Sequence, residues 1–215
     1  MSKAILYYVY DPMCSWCWGY QVTWDKLHVL LNQQFATQLH VQYVVGGLAP
    51  DSDVTMTEEM QRFLQETWSS IHAQLGTPFN VDFWTNCQPK RSTYPACRAI
   101  LVARQQGLEK QMLQAIQQGY YLQAKNPSEL ATLTEFATQI GLEADTFQSS
   151  IKSELIEKQL QHEISMARQL PIQGFPSLVL HINGQDHALE LDYLQAETSL
   201  QQIQSIINAE KMHLI

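Results

Sequence analysis

Strand-forming sequence is confined to the two ends of this 215-residue chain, and everything between reads as helix. Lys3 to Tyr10 (KAILYYVY) is apolar and rich in β-formers, as in a strand buried on both faces, and Asp11-Pro12 ends it. Apolar residues then fall at helical spacing from Trp18 through Trp24, Leu27, Leu31 and Phe35. His40 to Val45 is a second strand, closed by Gly46-Gly47, so the first ~50 residues predict a βαβ unit. From about residue 52 the pattern is helical. Met56, Met60, Phe63, Leu64, Trp68, Ile71 and Leu75 share one face until Gly76 stops the run. A further helix begins near Ser92 to Pro95. Asn126-Pro127-Ser128-Glu129 carries start signals for another, and Ser153 to Leu170 supplies one that Pro171 terminates. Ser177 to Ile182, the Asn183-Gly184 turn and His187 to Leu191 then read as a β-hairpin, followed by a closing helix from Tyr193 to Asn208. The expected architecture is α/β: one sheet domain from residues 1–51 and 171–215, interrupted by an all-helical domain over 52–170.

With 45% hydrophobic residues the chain can bury a sizeable core, and its length suits one domain with an insertion better than two independent ones. Its formal charge of −8, without any lysine–arginine cluster, argues against nucleic-acid binding and against anionic membrane surfaces. The apolar run Ala4 to Tyr10 is too short to span a bilayer and lacks the cleavage site of a secretory signal, so a cytoplasmic protein is expected.

Cysteines occur at 14, 17, 87 and 97. Cys14-Ser15-Trp16-Cys17 sits directly after a strand and opens a helix. Unpaired N–H groups and the partial positive charge at a helix N-terminus favour thiolate over thiol. Cys14 is therefore expected to be exposed, with a lowered pKa, and to attack disulfides, with Cys17 one turn inward to resolve the mixed disulfide. Asp11 and Glu59 are candidate acid–base groups beside Cys17. Half of a zinc site is a rival reading, but Cys87 and Cys97 are separated by nine residues with no second Cys-x-x-Cys and no His-x3–5-His, so no metal is expected. Two incidental buried cysteines are the bland alternative. Before the returning hairpin stands Gly174-Phe175-Pro176-Ser177, where a cis X–Pro bond is energetically accessible and an ordinary trans proline is the default.

Three segments, Asp11-Pro12-Met13-Cys14-Ser15-Trp16-Cys17-Trp18-Gly19, Ser92-Thr93-Tyr94-Pro95-Ala96-Cys97-Arg98-Ala99 and Gly174-Phe175-Pro176-Ser177, resemble the DsbA-like branch of the thioredoxin superfamily. Within it the likeness is to FrnE-type proteins and to kappa-class glutathione transferase and 2-hydroxychromene-2-carboxylate isomerase. The resemblance implies a thioredoxin fold with an inserted helical domain and a thiol–disulfide oxidoreductase or isomerase acting on protein or peptide disulfides. It makes Cys14 the nucleophile, Cys17 the resolving thiol and Pro176 the cis-proline, with Phe175 offering its backbone to substrate. No cofactor is implied beyond glutathione as a candidate redox partner. Ser15-Trp16 replaces the Pro-His dipeptide of DsbA, so the strongly oxidising character of DsbA does not carry over, and reductase or isomerase action is as open as oxidation. The alternative is a glutathione-dependent transferase or isomerase of the kappa-class type acting on small aromatic molecules, in which Asp192 would hold the glutathione amino group. A third is a binding module without turnover.

Trp16 is a candidate substrate contact, whereas Trp24 reads as core. Cys97 is expected near the dithiol, either as a relay or as a small buried hydrophobe. Met56, Met60 and Trp68 suit a flexible groove or, more commonly, a helix face packed on the core. The seven histidines (28, 40, 72, 162, 181, 187 and 213) form no ligand spacing.

Overall fold

The computed structural model describes residues 4–212; Lys3 of the expected first strand and His213 lie outside them. Four strands form one mixed sheet in the order β2-β1-β3-β4. β1 (Ala4–Tyr10) pairs in parallel with β2 (Leu39–Val45), from Ala4↔Leu39 to Tyr10↔Val45. The connecting helix α1 (Ser15–Phe35) completes the βαβ unit. β3 (Ser177–Ile182) runs antiparallel to β1 and turns through Asn183 and Gly184, both at positive φ, into β4 (Gln185–Leu189). The primed turn that Asn-Gly supports explains why Gln185 already pairs with Ile182, two residues before the expected strand start.

Between β2 and β3 the chain forms α2 (Glu58–Leu75), α3 (Phe83–Asn86), α4 (Tyr94–Gln105), α5 (Glu109–Leu122), α6 (Leu130–Gln139), α7 (Ala144–Ile151) and α8 (Glu154–Gln169). Helix α9 (Ala196–Met212) follows the hairpin. Thr57 caps α2 by accepting from the Met60 N–H, and Gly76, at φ 70°, closes it where the sequence places the stop. Ser153 likewise caps α8. Asn126-Pro127-Ser128-Glu129 does not open a helix as expected. The Asn126 side chain accepts from the Ser128 N–H and donates to Gln88 O, Ser128 Oγ donates to Ser92 O, and α6 begins only after Glu129. Those side chains are spent on tertiary ties. α9 also starts late, because Asp192 draws the N–H groups of Leu194 and Gln195 into a turn ahead of it.

Alternation along the strands gives the sheet two apolar faces. Leu6, Tyr8, Tyr10, Leu178 and Leu180 join the main core with Trp24, Leu27 and Leu31 of α1 and Ile203 and Ile207 of α9. Val9, Val44 and Val179 on the other face pack against Ala167 of α8 and Leu170 just beyond it. Arg104 of α4 fastens the helical block to the sheet. It bonds both carboxylate oxygens of Glu109 (2.7 and 2.8 Å), pairs with Glu163 and donates to Tyr43 O, while Glu163 accepts from the Val45 N–H. The pairing Val9↔Ser177 sets the residues before β3 against the loop that leaves β1. That register brings the two ends of the chain together at the cysteine motif.

Candidate active site

Cys14 is the N-cap of α1: its backbone is extended (φ −78°, ψ 119°), its N–H donates to Asp11 O, and its carbonyl accepts from the Trp18 N–H. No side chain caps this helix, so the N-terminal N–H groups surround the motif without a competing acceptor. The Cys14 thiol lies 3.4 Å from Phe175 O, and the Phe175–Pro176 peptide bond is cis. At 7% exposure Cys14 is more covered than the sequence suggests, because the 175–176 loop sits over it. Cys17, one turn on, is fully buried. Burial pushes its thiol well above the usual range, and the neighbouring Cys14 pushes it further, against the opposing pull of an Asp11 backbone hydrogen bond. All four cysteines are free thiols.

Phe175 reaches its position through glycine. An alanine Cβ at Gly46 would lie 2.1 Å from Cε1 and Cζ of the Phe175 ring, and the Gly46 N–H donates to Tyr10 O at 2.7 Å. The glycine at the end of β2 is thus the seat of the ring next to the dithiol.

Asp11 is a fully buried junction. One carboxylate oxygen accepts from the Met13 N–H (2.8 Å); the other accepts from the Leu48 N–H (2.7 Å), Thr93 Oγ1 (2.6 Å) and, more weakly, the Cys97 thiol (3.6 Å). Burial raises its pKa despite these donors. The carboxylate joins the cysteine loop, the β2–α2 loop and the start of α4, which is a positioning role that the sequence pattern left unassigned. Glu59 is exposed in the first turn of α2, and it is not among the groups acting on Cys17. Cys97 comes to Asp11, and burial followed by the Asp11 charge raises its thiol. Cys87 is elsewhere, donating to Ala124 O.

Trp16 occupies the first turn of α1, half-buried, with its ring edge-on to Tyr193 at 5.3 Å. Trp24 is core, stacked on Tyr8. Trp68 is core as well, but its Nε1–H donates to Ser15 Oγ inside the motif (2.9 Å), and Tyr121 OH donates to Met13 O (2.8 Å). These two aromatic residues fix the cysteine loop from behind. The requirement that a buried indole or phenol find a partner was the available signal, although it does not name the partner. Met56 is buried and Met60 half-buried, with the Arg91 guanidinium at its sulfur. Asp192 uses both carboxylate oxygens locally, on Leu194 N–H, Gln195 N–H and Thr198 Oγ1, and these bonds hold its pKa below the usual carboxylate range. Among the described residues no group of three or more His, Cys, Asp and Glu is arranged to hold a metal ion, and no helix is long and apolar enough to cross a membrane.

A family model described as "Thioredoxin" matches residues 7–202, from β1 into α9. The chain belongs to the thioredoxin family. Within the family its arrangement is DsbA-like, with the helical insertion between β2 and β3. A candidate protein disulfide isomerase from Nitrosomonas europaea superposes with a TM-score of 0.81 at 25% identity, covering 97% of this chain and 99% of that one. The cytosolic disulfide reductase DsbM from Pseudomonas aeruginosa, solved with GSH, gives a TM-score of 0.65 at 24% identity over 86% of this chain and 89% of that one. In sequence, the ClpXP adapter protein SpxH of Bacillus subtilis is 24% identical over 177 residues, covering 80% of this chain. That alignment spans 56% of SpxH, so this chain matches little more than half of its relative's length.

Proposed function

We propose that this family member is a thiol–disulfide oxidoreductase of protein or peptide disulfides, with Cys14 as nucleophile and Cys17 as resolving thiol. The observation that carries the reading is the stacking of three elements: Cys14 at the N-cap of α1, Phe175 O at 3.4 Å before a cis proline, and Cys17 fully buried one turn behind. The Cys14 sulfur, as thiolate, attacks a substrate disulfide, forming a mixed disulfide and expelling one substrate thiolate. Cys17 then loses its proton and attacks the Cys14 sulfur, releasing the second substrate thiol and leaving a Cys14–Cys17 disulfide. The substrate gains two electrons and two protons. Two molecules of glutathione, oxidised to one disulfide, return the pair to the dithiol.

The raised pKa of Cys17 suits this order, because a thiol held protonated does not compete for substrate. Phe175 and Pro176 supply the backbone edge for an extended substrate, and Trp16 with Tyr193 forms its apolar flank. A cytosolic setting and glutathione as partner are part of the proposal, in line with the names given to DsbM. Asp192, with both oxygens engaged locally, gives the transferase reading no free carboxylate.

The test is glutathione-driven insulin reduction. Wild type turns over, Cys14→Ser falls to background, and Cys17→Ser accumulates the mixed disulfide. A Cys14→Ser variant that kept the wild-type rate would overturn the proposal. Conjugation of glutathione to an aromatic electrophile at a higher rate than insulin reduction would favour the transferase reading instead.

A further inference from the structure

A cleft of about 360 Å³ opens between α1 and α5 over Tyr43 of β2. Its walls include Trp18, Trp24 and Tyr43, and both indole N–H groups are already committed. Trp18 Nε1 donates to Pro78 O and Trp24 Nε1 to the Tyr43 hydroxyl, each at 3.0 Å. The half-buried Trp18 and Tyr43 rings are therefore held in fixed orientation at the cleft, with the 1%-exposed Trp24 packed behind them.

Several polar groups lining the same cleft lack a protein partner among the described residues. Gln117 is 2% exposed, and its side-chain amide has no hydrogen-bond partner among the described residues and keeps its remaining solvent contact at the cleft that it lines. Gln21 spends its amide nitrogen on Asp25 (3.0 Å), which leaves its amide oxygen buried without a partner. Tyr43 accepts from Trp24 but has no acceptor for its own proton among the described residues. Buried polar groups are nearly always paired, so unpaired ones converging on a cleft point to something that completes them.

We infer that this cleft binds an uncharged planar heteroaromatic ring with donors and acceptors along one edge, of the size of a nucleobase. An aliphatic ligand would leave the amides unpaired. An anion would face Asp25, and a cation would meet Lys110, which sits at the rim 5.6 Å over the Tyr43 ring. A primary amide reads a base edge by paired hydrogen bonds, and aromatic walls accept its flat faces. The inference is independent of the dithiol chemistry.

The experiment is titration of the full-length 15N-labelled protein with adenosine, guanosine and cytidine, following the indole N–H resonances of Trp18 and Trp24. At least one nucleoside is expected to give a saturable shift with a Kd of about 1 mM or tighter. Gln117→Met, which keeps the volume and removes the amide, is expected to weaken that binding by about tenfold or more while the rest of the spectrum stays dispersed and unshifted. Gln21→Met, on the opposite helix, provides the same reading should Gln117→Met lose its dispersed spectrum. No saturable shift with any of the three, or binding undiminished in both variants, overturns the inference.

Discussion

Replacing Gly46 with alanine puts a Cβ 2.1 Å from two ring atoms of Phe175, where a carbon contact wants about 3.5–4.0 Å. Gly46 does not sit at positive φ, so the backbone tolerates the alanine and the whole effect is steric. Relief requires the ring to move by roughly 1.5 Å. Phe175 also holds its carbonyl 3.4 Å from Cys14, so a shift of the ring pulls on the residue that makes that contact. Overpacking of this kind costs about 1–3 kcal/mol, to be read from urea unfolding. Misplacement of about 1 Å at a reacting centre costs on the order of 10²-fold in rate, so glutathione-driven insulin reduction is expected to fall by roughly one to two orders of magnitude. Phe175→Leu removes the clashing ring atoms, and the double variant Gly46→Ala/Phe175→Leu should recover stability relative to Gly46→Ala alone. Wild-type stability and rate in Gly46→Ala would refute the claim that Gly46 seats the loop.

Three further outcomes follow from the packing. Because burial raises the Asp11 pKa, the folded chain retains a proton that the unfolded chain has lost above pH about 3.9, so this group's contribution to stability declines as pH rises through the folded pKa. Urea unfolding of Asp11→Asn across pH 4 to 8 should lack that decline relative to wild type; parallel profiles would count against it. Arg104→Met strands Glu109 and Glu163 without their cation and should cost about 2–4 kcal/mol, partly restored by adding Glu163→Gln; a loss under 0.5 kcal/mol would refute the anchoring role, being what an ordinary surface substitution costs. Ser15→Ala leaves the buried Trp68 indole N–H without an acceptor, at a cost of about 1–3 kcal/mol with a change in tryptophan fluorescence; an unchanged spectrum and midpoint would show that the bond contributes nothing.

Local patterns in the sequence were enough to read the βαβ start, the helical middle, the Asn-Gly hairpin and the cysteine pair at a helix N-terminus, because each is built from periodicities and stop signals between near neighbours in sequence. Thr57, Gly76 and Ser153 act where their residue types say they should. What resisted reading was tertiary. Asn126 and Ser128 carry the signature of a helix start, yet spend their side chains on Gln88 and Ser92. Asp11 stands in the sequence as an acid–base candidate, and only the fold assembles its partners from Leu48, Thr93 and Cys97. The contact of Gly46 with Phe175 joins residues whose separation no periodicity encodes.

The carbonyl over Cys14 comes from a residue 161 positions later in the chain. At translation speeds of about 5–20 residues per second, both cysteines are added to the chain roughly 10–30 s before Phe175 is made. For that interval the nascent dithiol has neither its covering loop nor the strand that aligns it. Newly made chains are therefore open to the surrounding thiol pool before the mature site exists, and their redox state at birth is set by solution chemistry, not by the finished fold.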